Sequence, residues 1–104
     1  MGGISLSRWA VNADTRLITK EGKLFVTSKY MDRDAPVLKG WESFSGWYWF
    51  ATELNDDGTH FGFVQGFEEE LGYFSEKELV SIGERTGNIW PIKEEDLPYA
   101  GRRD

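Results

Sequence analysis

The sequence predicts an α+β domain, mainly an antiparallel sheet of about five strands with one short helix near residues 75–83 packed on it. Three observations lead there. Short runs of β-branched and aromatic residues recur along the chain, separated by segments rich in Gly, Asn and Asp. One segment, Ser75-Glu76-Lys77-Glu78, has the form of a capping box, in which the Ser75 hydroxyl accepts from the Glu78 amide and opens a helix. The length of 104 residues, with five Trp, four Tyr and seven Phe, supplies the apolar payload of a single folded domain, 1–104.

Taken in order, residues 1–5 read as a loose end, with Gly2 and Gly3 adding backbone freedom. Arg16–Thr19 and Leu24–Thr27 are β-prone runs joined by Lys20-Glu21-Gly22-Lys23, a hairpin turning on Gly22. Asp32–Pro36 is a loop, since proline fixes its own φ and pushes Ala35 away from helix. Val37–Phe44 forms a strand, and Ser45-Gly46 connects it to the next. After the helix, for which Gly83 supplies a stop, Asn88–Ile92 reads as an edge strand because Pro91 cannot donate to a ladder. Glu94–Leu97 forms a single helical turn, and 98–104 a loose tail.

The middle of the chain is the most informative. Trp47–Leu54 and Thr59–Phe67 are strand patterns around the turn Asn55-Asp56-Asp57-Gly58, where Gly58 can take positive φ. In simple register Phe50 opposes Phe63 and Thr52 opposes Phe61 on one face. On the other, Trp49 opposes Val64, Ala51 opposes Gly62, Trp47 opposes Gly66 and Glu53 opposes His60. Rings thus lie over positions without side chains, and both faces are largely apolar, so this hairpin is expected to be central and covered on two sides. Glu68-Glu69-Glu70 forms a solvated bend before a third strand at Leu71–Phe74.

Charge and composition narrow the chemistry. Formal charge is +3 over residues 1–41, −10 over 42–100 and +1 over 101–104, which sums to −6. An acidic field over the larger part of the chain disfavours double-stranded nucleic acid, whose phosphates are normally neutralised by Lys and Arg. With no cysteine there is no disulfide framework, thiolate nucleophile or thiolate metal site, and no stretch is apolar enough to span a bilayer or form a signal peptide. A cytoplasmic protein without a cofactor or metal is the expectation. His60 and Glu53 form a conceivable acid–base pair, but an ordinary cross-strand polar pair is the simpler reading, and no Walker loop, dinucleotide fingerprint or serine nucleophile supports catalysis. Eleven of the sixteen aromatic residues lie between Trp41 and Phe74. Rings left exposed there, or at Trp90, are candidate contact residues.

The segments Trp47–Glu53, Phe61-Gly62-Phe63-Val64-Gln65-Gly66 and Glu70–Leu79 resemble a domain-of-unknown-function family of small proteins borne on bacterial plasmids, phages and other mobile elements. That family pairs a Trp/Tyr-rich strand ending in Thr-Glu with a Phe-Gly-x-Val-x-Gly strand and a Gly-Tyr-Phe-Ser helix entry, and the likeness covers about residues 47–82. Leu17–Glu21 resembles the family's opening, which there leads into a helix, whereas Gly22 and the β-branched run after it favour a hairpin. The resemblance implies a mobile-element setting and a small α+β domain, and carries no activity or site residues.

In that setting, the leading expectation is an acidic accessory protein, not an enzyme, that binds a host or defence protein, with Trp47, Trp49, Glu53, His60, Glu68, Glu69, Glu70 and Trp90 as candidate contact residues. The partner is a protein with a basic surface. The alternative is a binder of small ligands or single-stranded nucleic acid through exposed rings. The chain is a monomer, or a homodimer if Val37–Phe44 or Ile89–Ile92 leaves an open edge.

Overall fold

The computed structural model describes residues 14–29 and 31–103. The expectation for residues 1–5 lies outside them. Among the described residues, two antiparallel sheets and one α-helix form the α+β fold that the sequence predicts. The smaller sheet has the order β1-β2-β3, from Arg16–Lys20, Lys23–Thr27 and Ala35–Pro36. The larger has the order β7-β6-β5-β4-β8, from Glu69–Ser75, Thr59–Gln65, Tyr48–Glu53, Lys39–Ser43 and Ile89–Pro91. The helix α1 spans Glu76–Thr86 and a 3-10 helix spans Glu94–Tyr99. None of the described helices is long and apolar enough to cross a membrane.

The first hairpin forms, and the opening does not become a helix. Lys20 pairs with Lys23 across a two-residue turn in which Glu21 and Gly22 have φ of 53° and 75°. Two successive positive φ values are what the right-handed twist of a tight hairpin demands. The loop before β4 contributes the two-residue strand β3, whose Pro36 lies opposite Phe25.

The central hairpin is covered on both faces, as its two apolar sides require. One face packs Phe50, Phe63 and Leu71 of the larger sheet against Leu17, Leu24 and Val26 of the smaller one and against Leu97 of the 3-10 helix. The opposite face packs Trp41, Trp49, Ala51, Val64 and Phe74 against Leu79 of α1. Phe50 opposes Phe63, Trp49 opposes Val64 and Ala51 opposes Gly62, in the register read from the sequence. A side chain at Gly66 would run into the Trp47 ring, so that ring does lie over the glycine.

Four expectations are corrected. A β-bulge between Ala51 and Glu53 puts Glu53, not Thr52, opposite Phe61, so Glu53 and His60 do not face each other. The extra residue is Thr52, whose hydroxyl donates to the Phe61 carbonyl at 3.3 Å. The helix does not stop at Gly83 but runs to Thr86, where Gly87 at φ 72° takes the left-handed capping position and donates to the Gly83 carbonyl. Glu69 and Glu70 belong to β7, because the Gly66 amide bonds the Glu68 carbonyl and closes the turn within three residues. Residues 98–103 are not a loose tail. The buried Gln65 side chain accepts from the Arg102 amide at 2.8 Å and donates to the Arg102 carbonyl at 3.0 Å, so an amide side chain stands in for a strand partner.

Candidate binding groove

The two ends of the larger sheet differ in chemistry. At the end bearing the Asn55–Gly58 turn, Asn55 Nδ2 donates to the Thr59 carbonyl and Asp57 Oδ1 accepts from the Thr59 amide, while Gly58 has φ 87°. This turn places His60, 3% exposed, between Trp41 and Phe74. The Trp41 ring stacks on it at 6.2 Å between centroids and Phe74 meets it edge-on at 6.2 Å. His60 Nδ1 accepts from the Asn55 amide at 3.2 Å, so the ring proton sits on Nε2, which donates to Glu76 at 2.7 Å. Lys39 donates to the same carboxylate at 3.1 and 3.2 Å.

Both ring nitrogens of His60 are engaged within the protein and the ring is covered, which is the arrangement of a structural histidine. Glu53, the cross-strand partner expected for His60, is exposed and elsewhere; the carboxylate that meets His60 is that of Glu76, brought in by the first turn of α1. The hydrogen bond from His60, reinforced by Lys39, holds the Glu76 carboxyl below the usual carboxylate range against a smaller opposing effect of burial. The stabilisation is therefore fully present above the pKa of an unfolded glutamate and is lost as pH falls through the depressed folded value. Thermal melts of wild type and Glu76→Gln, taken across the acid range, are expected to converge toward the acid end. A constant offset between them at every pH would contradict this. A depression of about 420 Å³ beside Glu76 is lined by Asp56, Lys77 and Glu84 but by no exposed ring. Among the described residues, no group of three or more His, Cys, Asp or Glu is gathered for a metal ion.

The opposite end carries the aromatic surface. β4, β5 and β8 bring Trp90, Glu42 and Tyr48 into one cross-strand row, since Glu42 is opposite both Trp90 and Tyr48. The 3-10 helix and the segment after it rise beside that row and close a groove of about 410 Å³, with Lys93, Asp96 and Tyr99 along its wall. Trp90 is 39% exposed and Tyr99 84% exposed. The Tyr48 ring stacks flat on the core ring of Phe50 at 5.8 Å, and its hydroxyl donates to Glu42 at 3.3 Å. Burial, and then the negative charge of Glu42, hold that hydroxyl above the usual tyrosine range, so it remains a donor at neutral pH. Asp96 has no ion-pair partner among the described residues.

The predicted contact residues divide between these ends. Trp90 lies in the groove. Trp47 is half-buried at the same end of the sheet but on the other face, edge-on to Phe67, which is 93% exposed on the turn before β7. Glu68 is exposed on that turn, whereas Glu69 and Glu70 are half-buried in β7 and Glu69 accepts from Gln65. Trp49 is corrected from contact residue to core, 9% exposed and packed against Val64 and Leu79. Sequence reasoning missed Glu42, Tyr48, Asp96 and Tyr99. Tyr99 fell in the supposed tail, and the row Trp90–Glu42–Tyr48 joins strands far apart in the chain.

Comparisons with family models, with curated proteins and with solved structures return no match.

Proposed function

We propose that this chain is a non-catalytic binding protein, an accessory of a mobile element, whose groove takes a basic segment of a host or defence protein. The observation that supports this most is the convergence of exposed Trp90 and Tyr99 with the carboxylates of Glu42 and Asp96 on one groove. Aromatic faces attract cations through the ring quadrupole, and carboxylates pair with guanidinium groups in fork geometry. An arginine side chain offers a planar face and five donors at once, so it satisfies both halves of such a groove better than lysine does. Lys93 in the wall sets a limit on charge and favours a segment with one or two cationic residues over a polybasic tract. The acidic surface of residues 42–100 steers such a partner in at low ionic strength.

A second reading, a small ligand stacked on Trp90, rests on the groove's size and exposed rings. Its nucleic-acid version is opposed by the same carboxylates, which repel phosphate. Calorimetric titration with short arginine-bearing peptides decides between them. Saturable binding of an arginine peptide is expected, about tenfold weaker for its lysine counterpart and for Glu42→Gln. Binding of oligosaccharides or oligonucleotides in place of the peptide, or none of them at millimolar concentration, would overturn the reading.

A further inference from the structure

The larger sheet ends on two unequal edges. β8 is three residues long and ends in Pro91, which has no N–H to offer a further strand. β7 is seven residues long, Glu69–Ser75, with no proline and no lysine, and among the described residues it pairs with β6 alone. The edges expected from sequence do not supply such a site: β4 lies inside the sheet, between β5 and β8, and β8 is closed by Pro91. Antiparallel pairing engages alternate residues of β7 with β6 and turns the N–H and C=O groups of the others outward. Sheets ordinarily blunt a long edge with proline, lysine or a bulge, and β7 has none of these.

We propose that the chain forms a symmetric homodimer in which β7 pairs antiparallel with β7 of a second copy, centred on Gly72. The second copy is the occupant because the charge of the strand is one-sided. Glu69 and Glu70 occupy its first end and residues 71–75 are uncharged, so the strand complements itself only head to tail. Centred on Gly72, Glu69 faces Ser75 of the second copy, Glu70 faces Phe74 and Leu71 faces Tyr73. No carboxylate opposes another, and all seven residues pair. A parallel arrangement, or an antiparallel one centred on Glu70, sets glutamates directly opposite each other, which is destabilising. Tyr73, exposed and edge-on to Phe61 at 5.1 Å, gains apolar cover from the second copy. A twofold axis closes the assembly at two chains, with one sheet running through both. The groove lies toward the β8 side of the sheet and stays open in such a dimer.

The absence of cysteine makes the register directly testable. Oxidation of a mixture of Glu69→Cys and Ser75→Cys proteins is expected to yield a disulfide-linked dimer, while either protein alone yields none. Sedimentation is expected to give a dimer of the 11.9 kDa chain that Tyr73→Lys weakens about tenfold and Tyr73→Phe preserves. A monomer at concentrations up to about 1 mM would overturn the proposal. So would equal cross-linking in the mixture and in each protein alone, or a dimer indifferent to Tyr73→Lys.

Discussion

Gly62→Ala is expected to lower the stability of the domain by about 3 kcal/mol or more, the upper range for overpacking a core. Gly62 lies opposite Ala51 in β5 and opposite Gly72 in β7, in the middle of the interior strand β6. A methyl group there would run into the Phe50 carbonyl, 2.7 Å from its carbon and 2.9 Å from the Ala51 Cα. These are backbone atoms held by the sheet, with no rotamer available to relieve the overlap. The contrast with Gly66 is instructive, because the nearest atoms a methyl there would meet belong to the Trp47 side chain, and Trp47 lies in the connection before β5 rather than in a ladder. A melting temperature lowered by more than about 10 °C in calorimetry is the expected reading for a domain of this length. A shift of only a few degrees would mean that the β5–β6 pairing is looser than described.

The second large effect is expected at Phe50. Its side chain is fully buried among residues from both sheets and the 3-10 helix, so Phe50→Ala removes contacts on several sides and leaves a cavity that rigid strands cannot close. Such substitutions cost about 3–5 kcal/mol. Phe50 also supports Tyr48 by flat stacking, and Tyr48 forms part of the groove floor. The milder Phe50→Leu variant is therefore expected to fold and yet to lose affinity for an arginine peptide. Denaturant unfolding measures the first effect and calorimetry the second. Undiminished peptide binding by a folded Phe50→Leu protein would separate the groove from the core.

Elements set by local chemistry were legible in the sequence. The turn at Glu21-Gly22, the bend at Asn55–Gly58 and the Ser75 cap each depend on a few adjacent residues whose backbone preferences agree with the fold. Ser75 Oγ accepts from the Glu78 amide at 3.1 Å as the capping box requires. The apolar character of both faces of Trp47–Phe67 was enough to predict a central hairpin with a layer on each side. What escaped was non-local. The bulge at Thr52 follows from how β5 meets β6, and one inserted residue sufficed to separate Glu53 from His60. The anchoring of residues 98–103 depends on Gln65, which is 37 positions distant from Arg102 and carries no signal of its own in a strand pattern.

The candidate site was half legible for the same reason. Trp90 was a candidate as an aromatic ring on a segment that reads as an edge strand, and it is part-exposed in the groove. Glu42 and Tyr48 become part of a surface only when β4 is seen between β5 and β8. Trp49, next to Tyr48 in sequence, alternates to the opposite face and is buried there. The triple glutamate, conspicuous in sequence, is divided by the turn at residues 66–68, so only Glu68 remains fully displayed. The acidic character that matters in the groove comes from Glu42 and Asp96.

The groove as a seat for arginine is tested most directly by nuclear magnetic resonance, through the indole N–H signals of the tryptophans during titration with an arginine-bearing peptide. A saturable shift of the Trp90 indole signal is expected, with the Trp41 and Trp49 signals unmoved because those rings lie in the core. A stationary Trp90 signal in the presence of bound peptide, with the shift appearing at Trp47 instead, would contradict it.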